Sequence, residues 1–335
     1  MDPISQGVFG ATAAQVSTSK PRHLGWAALI GWLSGMAPDL DVVFRSSHDP
    51  LFALEYHRQF THSLAFIPLG SLICALVFYW LLTSKRQISF GRTYLWCLFG
   101  YATHGLLDAC TTYGTQLLWP FSTMRVAWNT VSIIDPLLTI PLLVLIGLSI
   151  LRRKRAYAII ALVWIVVYSS LGIVQRERAE AIGQMLAKSR GHEPVRLEAK
   201  PSFGNILLWK IIYEAKDIFY VDAVGLALVP VVHEGASVPK LDVRSDFAWL
   251  DPTSQQAIDI ERFRWFSNDY LAMSPHDDSL IIDMRYSAVP NQIRGLWGIK
   301  LDATADDSAH VTWVVNRSSS ARRFKQLWAM IVSSF

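Results

Sequence analysis

Residues 57–82 read HRQFTHSLAFIPLGSLICALVFYWLL: two histidines and an arginine within six positions, followed by twenty without a single charged side chain. A run of about 20 predominantly apolar residues is long enough to cross the hydrocarbon core of a bilayer as a helix. The fold class therefore turns on whether this stretch lives in lipid, and on what its polar doorstep does there.

Similar runs recur. Residues 133–151 and 156–174 meet the same length, and 94–110 forms a fourth candidate in spite of His104 and Asp108. Residues 7–18 and 23–38 are shorter and suggest a pair of short or re-entrant helices. The whole chain of 335 residues is 52% hydrophobic and only 17% charged, below the roughly 25% of an average soluble domain. Its net charge of +4 sits in small groups beside the apolar runs rather than on one basic face, so no nucleic-acid partner is expected.

Those groups order the topology. Lys20 and Arg22, the 84–92 segment SKRQISFGR, and RRKR at 152–155 occupy alternate connections, and short cytoplasmic loops collect Lys and Arg. About six segments are expected, with both ends, the 39–61 loop and the 111–132 loop outside. No Lys or Arg precedes the first apolar run and no cleavage site follows it, so a retained N-terminus is expected. Cys74, Cys97 and Cys110 lie in apolar segments without CxxC spacing and read as small buried hydrophobes.

After residue 175 the texture changes. Alternation in LLWKIIYEA (207–215), IFYVDAV (218–224), LIIDMRYS (280–287) and VTWVV (311–315) predicts strands. RERAEAIGQMLAKSRG (176–191) reads as a juxtamembrane helix ending at Gly191, and SARRFKQLWAMIVSSF (320–335) as a closing amphipathic helix. The expected organisation is an α-helical integral membrane domain over 1–175 and an extracytoplasmic α+β domain over 176–335. Nucleotide-binding glycine fingerprints are absent.

On this topology the ionisable residues gather at one leaflet. Asp39 and Asp41 follow Pro38 at the end of the second segment, and His57 and His62 stand at the mouth of the third. His104 and Asp108 are four apart and share a helix face. Asp135 opens the next segment. Such groups are expensive in a membrane unless they face a cavity, pair with each other or bind something. Imidazole nitrogens mixed with carboxylate oxygens suit Zn²⁺ or a similar divalent metal, and there is room for more than one ion. Metal ions there would polarise a phosphoryl oxygen and generate hydroxide near neutral pH, with Arg58 placed to neutralise a phosphate.

Plainer readings stand beside these. APDLD is also a polar loop with an Asp cap, the two loop histidines are also ordinary interfacial residues, and Asp135 before Pro136 is also an N-cap followed by proline.

Four blocks, MDPISQGVFGA (1–11), GMAPDLDVVF (35–44), HRQFTHSLAF (57–66) and YATHGLLDACTTYGTQLLWPFS (101–122), resemble in order and spacing the YdjM family of membrane-bound metal-dependent hydrolases. The resemblance covers the first 150–175 residues. It implies a distant relationship to zinc-dependent phospholipase C and the zinc nucleases, a bacterial inner-membrane location, and Asp39, Asp41, His57, His62, His104 and Asp108 as metal ligands. Arg58 and Asp41 are then the expected catalytic groups, with Thr61 beside them. The family usually opens with Thr-His where this chain has Ser5 and Gln6, which implies a weaker or missing ligand at that point.

A membrane metallohydrolase acting on a phosphoester, a lipid head group included, is the expected function. A metal-ion or proton transporter and a non-catalytic scaffold are the alternatives. The transporter reading requires ionisable groups through the full membrane thickness, whereas the inner halves of 62–82, 133–151 and 156–174 are nearly bare. The role of 176–335 is open, and its His192, His233, His276 and His310 lack ligand spacing.

Overall fold

In the computed structural model, which describes residues 1–316 and 321–333, Asp2 opens the first helix by accepting the amides of Ile4 and Ser5, with Pro3 at the first helical position. The helices that follow in chain order are α1 (Pro3–Val16), α2 (Leu24–Met36), the single-turn α3 (Phe52–Tyr56), α4 (Ile67–Phe78), α5 (Phe90–Cys110), α6 (Pro136–Arg152) and α7 (Ala156–Ser189). Strands β1 (Arg196–Pro201), β2 (Leu208–Ala215), β3 (Ile218–Leu226) and β4 (Pro230–Pro239) come next, then the short α8 (Val243–Asp246) and α9 (Gln255–Ser267). Strands β5 (Leu271–Ser274), β6 (Asp277–Asp283), β7 (Trp297–Lys300), β8 (Thr312–Val315) and helix α10 (Ala321–Val332) complete the described chain. Ser320, Ser334 and Phe335, the ends of the expected closing helix, lie outside the described residues.

The chain divides into two units. One is built from residues 1–44 and 56–173 with 203–205, and the other from 45–55, 174–202 and 206–335.

Within the helical unit, protein surrounds most of α1, while α2 buries about half of its residues and leaves Leu29 exposed. Eight consecutive residues of α1, Ser5–Thr12, are buried. Their close approach rests on absent side chains. A Cβ on Gly10 would stand 2.2 Å from the Gly31 carbonyl oxygen, and one on Gly31 would stand 2.3 Å from that of Gly10.

Six crossings were expected, and only two segments among the described residues are long and apolar enough to span: Leu64–Arg86 and Ala156–Ser189. Helix length explains most of the difference. With 14 and 13 residues, α1 and α2 rise only about 20 Å, short of the roughly 30 Å hydrocarbon core. α6 is a shorter apolar helix of 17 residues. α5 has the length, but Arg92, His104 and Asp108 interrupt its apolar run.

The expected juxtamembrane helix is not separate, because α7 runs without a break for 34 residues from the apolar stretch into the charged one. Its end is set locally. Gly191 adopts φ +71°, its amide bonds to Lys188 O and the next amide, His192 N, reaches Ala187 O. This is a glycine-terminated Schellman closure.

Two antiparallel four-stranded sheets, ordered β1-β2-β3-β4 and β5-β6-β7-β8, form the second unit. All eight residues of β2 are buried. One β2 face meets α7, where Gly183 lies against Ile211 and Leu197, and Arg190 makes a bidentate pair with buried Asp222 at 2.6 and 2.9 Å. On the other face Ile212 and Val221 join Tyr270, Ala272, Ile282 and Met284 in the core between the sheets. The 45–55 loop belongs to this unit as well, held by Arg262, which pairs with Asp49 (2.7 Å), Glu55 (2.6 Å) and Asp259 (2.8 Å).

Strand alternation did not anticipate a lysine on the intersheet face. Lys210 is buried with its Nζ donating to Ser287 Oγ at 3.0 Å. Burial pushes its ammonium down to about 7, with Asp283 opposing and Lys200 assisting. An unfolded lysine titrates near 10.5, so between pH 7 and 10.5 the unfolded chain holds the extra proton. Stability must therefore rise with pH across that window, by up to about 1.4 kcal/mol per unit. Thermal melts of the full chain in detergent should show the rise, and Lys210→Met should flatten it; parallel curves for both proteins would refute the assignment.

Candidate metal centre

Proline 38 turns the chain out of α2 into a 3-10 segment, Ala37–Val43, that carries Asp39 and Asp41. The returning chain presents His57 and Arg58, the latter at φ +65°. A further 3-10 turn, Phe60–His62, places His62 just before the spanning helix. One turn apart on α5, His104 and Asp108 face the same way and are fully buried. Two contacts set α5 against the His62 turn: Tyr101 OH donates to Thr61 O at 2.9 Å, and a Cβ on Gly105 would stand 2.2 Å from His62 O.

Four ligand atoms converge. His62 Nε2 and His104 Nε2 are 2.9 Å apart, and each lies 3.3 Å from Asp39 Oδ1. Asp108 Oδ2 is 3.4 Å from His62 Nε2 and 3.8 Å from His104 Nε2. A tetrahedron with metal–ligand bonds of 2.0–2.1 Å has edges of about 3.3–3.4 Å, so these separations suit one tetrahedral ion. Two facing imidazole nitrogens cannot both be donors, and both cannot be satisfied as acceptors without something between them. Asp108 Oδ2 is a buried acceptor without a hydrogen bond, although Arg58 Nε stands 3.0 Å away, and Gln6 Oε1 is likewise unsatisfied. The residues fit a cation.

Outer partners orient these ligands. His104 Nδ1 meets the Gly35 carbonyl at 2.6 Å, which requires the proton on Nδ1 and leaves Nε2 free to coordinate. His62 Nδ1 lies 2.9 Å from Thr61 Oγ1 and 3.3 Å from Asp41 Oδ2, and Thr61 Oγ1 donates to Asp41 Oδ2 at 2.9 Å. Asp41 Oδ1 takes His57 Nδ1 at 2.7 Å. Asp39, Asp41 and His57 form a second group with ligand-like spacing, which shares Asp39 with the first. Burial raises the Asp39 carboxyl, but bonds from His104 and His62 outweigh it and hold the group below the usual carboxylate range. Asp41 is likewise held low by His57 and His62 against its burial.

The six residues expected as ligands are thus distributed over these two groups. Arg58 is buried, with Nη1 donating to Thr111 Oγ1 at 3.3 Å and its guanidinium 4.6 Å above the Tyr113 ring. Asp135 belongs to neither group. Both its oxygens accept Tyr168 OH at 2.8 Å and one caps α6 through Leu138 N, so its use is structural. Sequence reasoning missed Tyr113 and the Met1 amine, which donates to Asp108 Oδ1 beside Gln6 Nε2 at 2.8 Å. No spacing pattern points to a main-chain amine 107 residues away.

Residues 1–179 match the YdjM inner membrane protein family. The chain belongs to that family. In this YdjM-family chain the match takes in every residue of the site and ends partway along α7, ahead of the sheets. The uncharacterized protein YfhP of Bacillus subtilis is 25% identical over 302 residues, covering 85% of this chain and 87% of that protein. Inner membrane protein YbcI of Escherichia coli is 31% identical over 112 residues, 31% of this chain and 60% of YbcI. No solved structure matches. Family membership and the resemblance to YbcI mark the YdjM-family chain as an inner membrane protein.

Proposed function

We propose that this chain is a membrane-bound, metal-dependent phosphoester hydrolase. The observation that carries the reading is the convergence of Asp39, His62, His104 and Asp108, with ligand-atom separations of 2.9–3.8 Å around the tetrahedral edge and an unsatisfied carboxylate oxygen among them. A zinc-type ion held there would supply Lewis-acid polarisation of a phosphoryl oxygen and acidify water.

The protein groups around it have distinct tasks. Asp41 fixes the imidazole of His57, whose side chain is the more exposed of the pair and is suited to accept or return a proton. Arg58 offers a fixed planar cation for a phosphate. Asp39, partly exposed while the other three ligands are buried, marks the side from which substrate enters.

Ion transport is the weaker alternative, because α4 has no Asp, Glu, His, Lys or Arg and α6 has none before Arg152. Hydrolysis of a chromogenic phosphodiester by the purified chain should disappear on chelation and return with zinc or manganese. A metal-replete protein that is inert toward phosphodiesters and phosphomonoesters alike would refute the proposal.

The basic connections further support a site and a C-terminal unit that face away from the cytoplasm. Alkaline phosphatase fused behind Phe335 should then be active in cells, and a fusion active only with a cytoplasmic reporter would reverse the orientation.

A further inference from the structure

Helix α10 has an apolar arc wider than the protein covers. At about 100° per residue, Leu327 and Met330 define one side of the arc, and these pack on Leu208, Ala223 and Val289. Phe324, Trp328 and Val332, four apart in sequence, form the adjoining stripe and stay 65%, 59% and 50% exposed. Exposed Lys325 borders that stripe beside Val332, and exposed Arg322 lies farther round the polar side.

The surroundings say what meets the stripe. Leu208 and Ala223 belong to the end of the first sheet that is tied to α7, because Gln175 Nε2 donates to Leu226 O at 2.9 Å and to Ile206 O at 3.3 Å. Gln175 is the first polar residue after the apolar run of α7, the end of the stretch that is apolar enough to lie in hydrocarbon. Beside it, the β3–β4 turn exposes Leu228 and Val229, 80% and 66%. The α10 stripe and the β3–β4 turn thus both adjoin the end of the first sheet to which Gln175 is bonded, while Val195, Trp249, Ile258 and Trp265 are exposed apolar side chains elsewhere in the unit.

We infer that α10 is an interfacial helix, with Phe324, Trp328 and Val332 lying in the headgroup region of an anionic bilayer. An aromatic-aliphatic stripe with cations at its border is the pattern of helices that lie in a membrane surface. Cations near an anionic leaflet strengthen such partition by roughly fivefold each. A second copy of this chain would bring Arg322 and Lys325 against their own counterparts, so the charge favours phospholipid.

The test uses the full chain reconstituted in phosphatidylglycerol-containing vesicles. A polarity-sensitive fluorophore is placed on Val332→Cys or, on the opposite face, on Gln326→Cys. Both positions are exposed, so labelling leaves packing intact, and unsubstituted protein gives the background from Cys74, Cys97 and Cys110. Nitroxide lipids labelled near the headgroup should quench position 332 and spare position 326. Arg322→Glu with Lys325→Glu should weaken the quenching, as should replacing phosphatidylglycerol with phosphatidylcholine. Equal quenching at both positions, or none, would overturn the inference. A signal that follows protein density rather than lipid composition would overturn it in favour of self-association, and indifference to phosphatidylglycerol would overturn the anionic assignment.

Discussion

His104→Ala protein, purified beside the parent chain from metal-replete cells, is expected to lose nearly all of its bound zinc-type ion, a drop of at least about a hundredfold in affinity. The magnitude follows from what the side chain does. Outer-shell partners alone are worth 10–100-fold, and His104 is one of the four converging atoms. It is wholly buried with its Nδ1 committed to Gly35 O, so neither water nor a neighbouring side chain is placed to replace its Nε2. Asp108→Asn should behave alike, since an amide cannot supply the carboxylate charge and its NH₂ would turn a donor toward the ion or toward Arg58. Asp135→Asn is the control. That side chain is an equally buried aspartate, yet it serves Tyr168 and the α6 terminus, so the substitution should cost stability and leave the ion in place. Elemental analysis of the three variants decides the point: unchanged metal in His104→Ala would remove the centre from this position.

The parts of this centre that were readable in the sequence share one property. His104 and Asp108 lie one turn apart in a helix whose apolar flanks make a polar residue costly, so periodicity alone brings them to one face. Asp39, Asp41, His57 and His62 lie within a 24-residue stretch between two apolar runs, and chain connectivity confines them to one end of the helices. Where the geometry depended on packing, the sequence was silent. It could not show that α1 is wrapped by protein, or that the helices in 7–18 and 23–38 are too short to span, because an apolar run shows neither its surroundings nor where its helix ends. The boundary near residue 175 was legible as a change of texture, but the continuity of α7 through it was not, since a change of composition does not interrupt a helix whose backbone bonds continue. Asp135 shares the expected leaflet with the ligands, and its plainer reading as an N-cap before Pro136 is the one the structure bears out, although the partner that buries it, Tyr168 OH, lies 33 residues away. Gln6 was recognised as a departure from the family's usual Thr-His. Its amide reaches Asp108 Oδ1 all the same, so the position still touches the centre, through a neutral donor in place of an imidazole.

Arg58→Lys should retain the ion while losing roughly a hundredfold in phosphodiester turnover, the scale on which removal of one positioned transition-state donor acts. Two sets of contacts separate the effects. The backbone at residue 58 donates to Asp41 Oδ2 at 3.2 Å and accepts from Gln116 N at 3.0 Å, and those bonds survive any side-chain exchange, so the loop between Asp41 and His62 keeps its path. The guanidinium is another matter. It stands 3.0 Å from Asp108 Oδ2 through Nε, reaches Thr111 through Nη1 and lies 4.6 Å over the Tyr113 ring. Lysine can supply a point charge there but neither the plane nor the fork that a phosphate oxygen pair would use. Were Arg58 instead reaching for lipid headgroups, its charge would be in water and lysine would serve equally well; its burial at 6% exposure speaks against that. Metal content and turnover measured on the same preparations give the answer: full activity in Arg58→Lys would end the clamp, and joint loss of metal and activity would make Arg58 a support for Asp108 rather than a group that meets substrate.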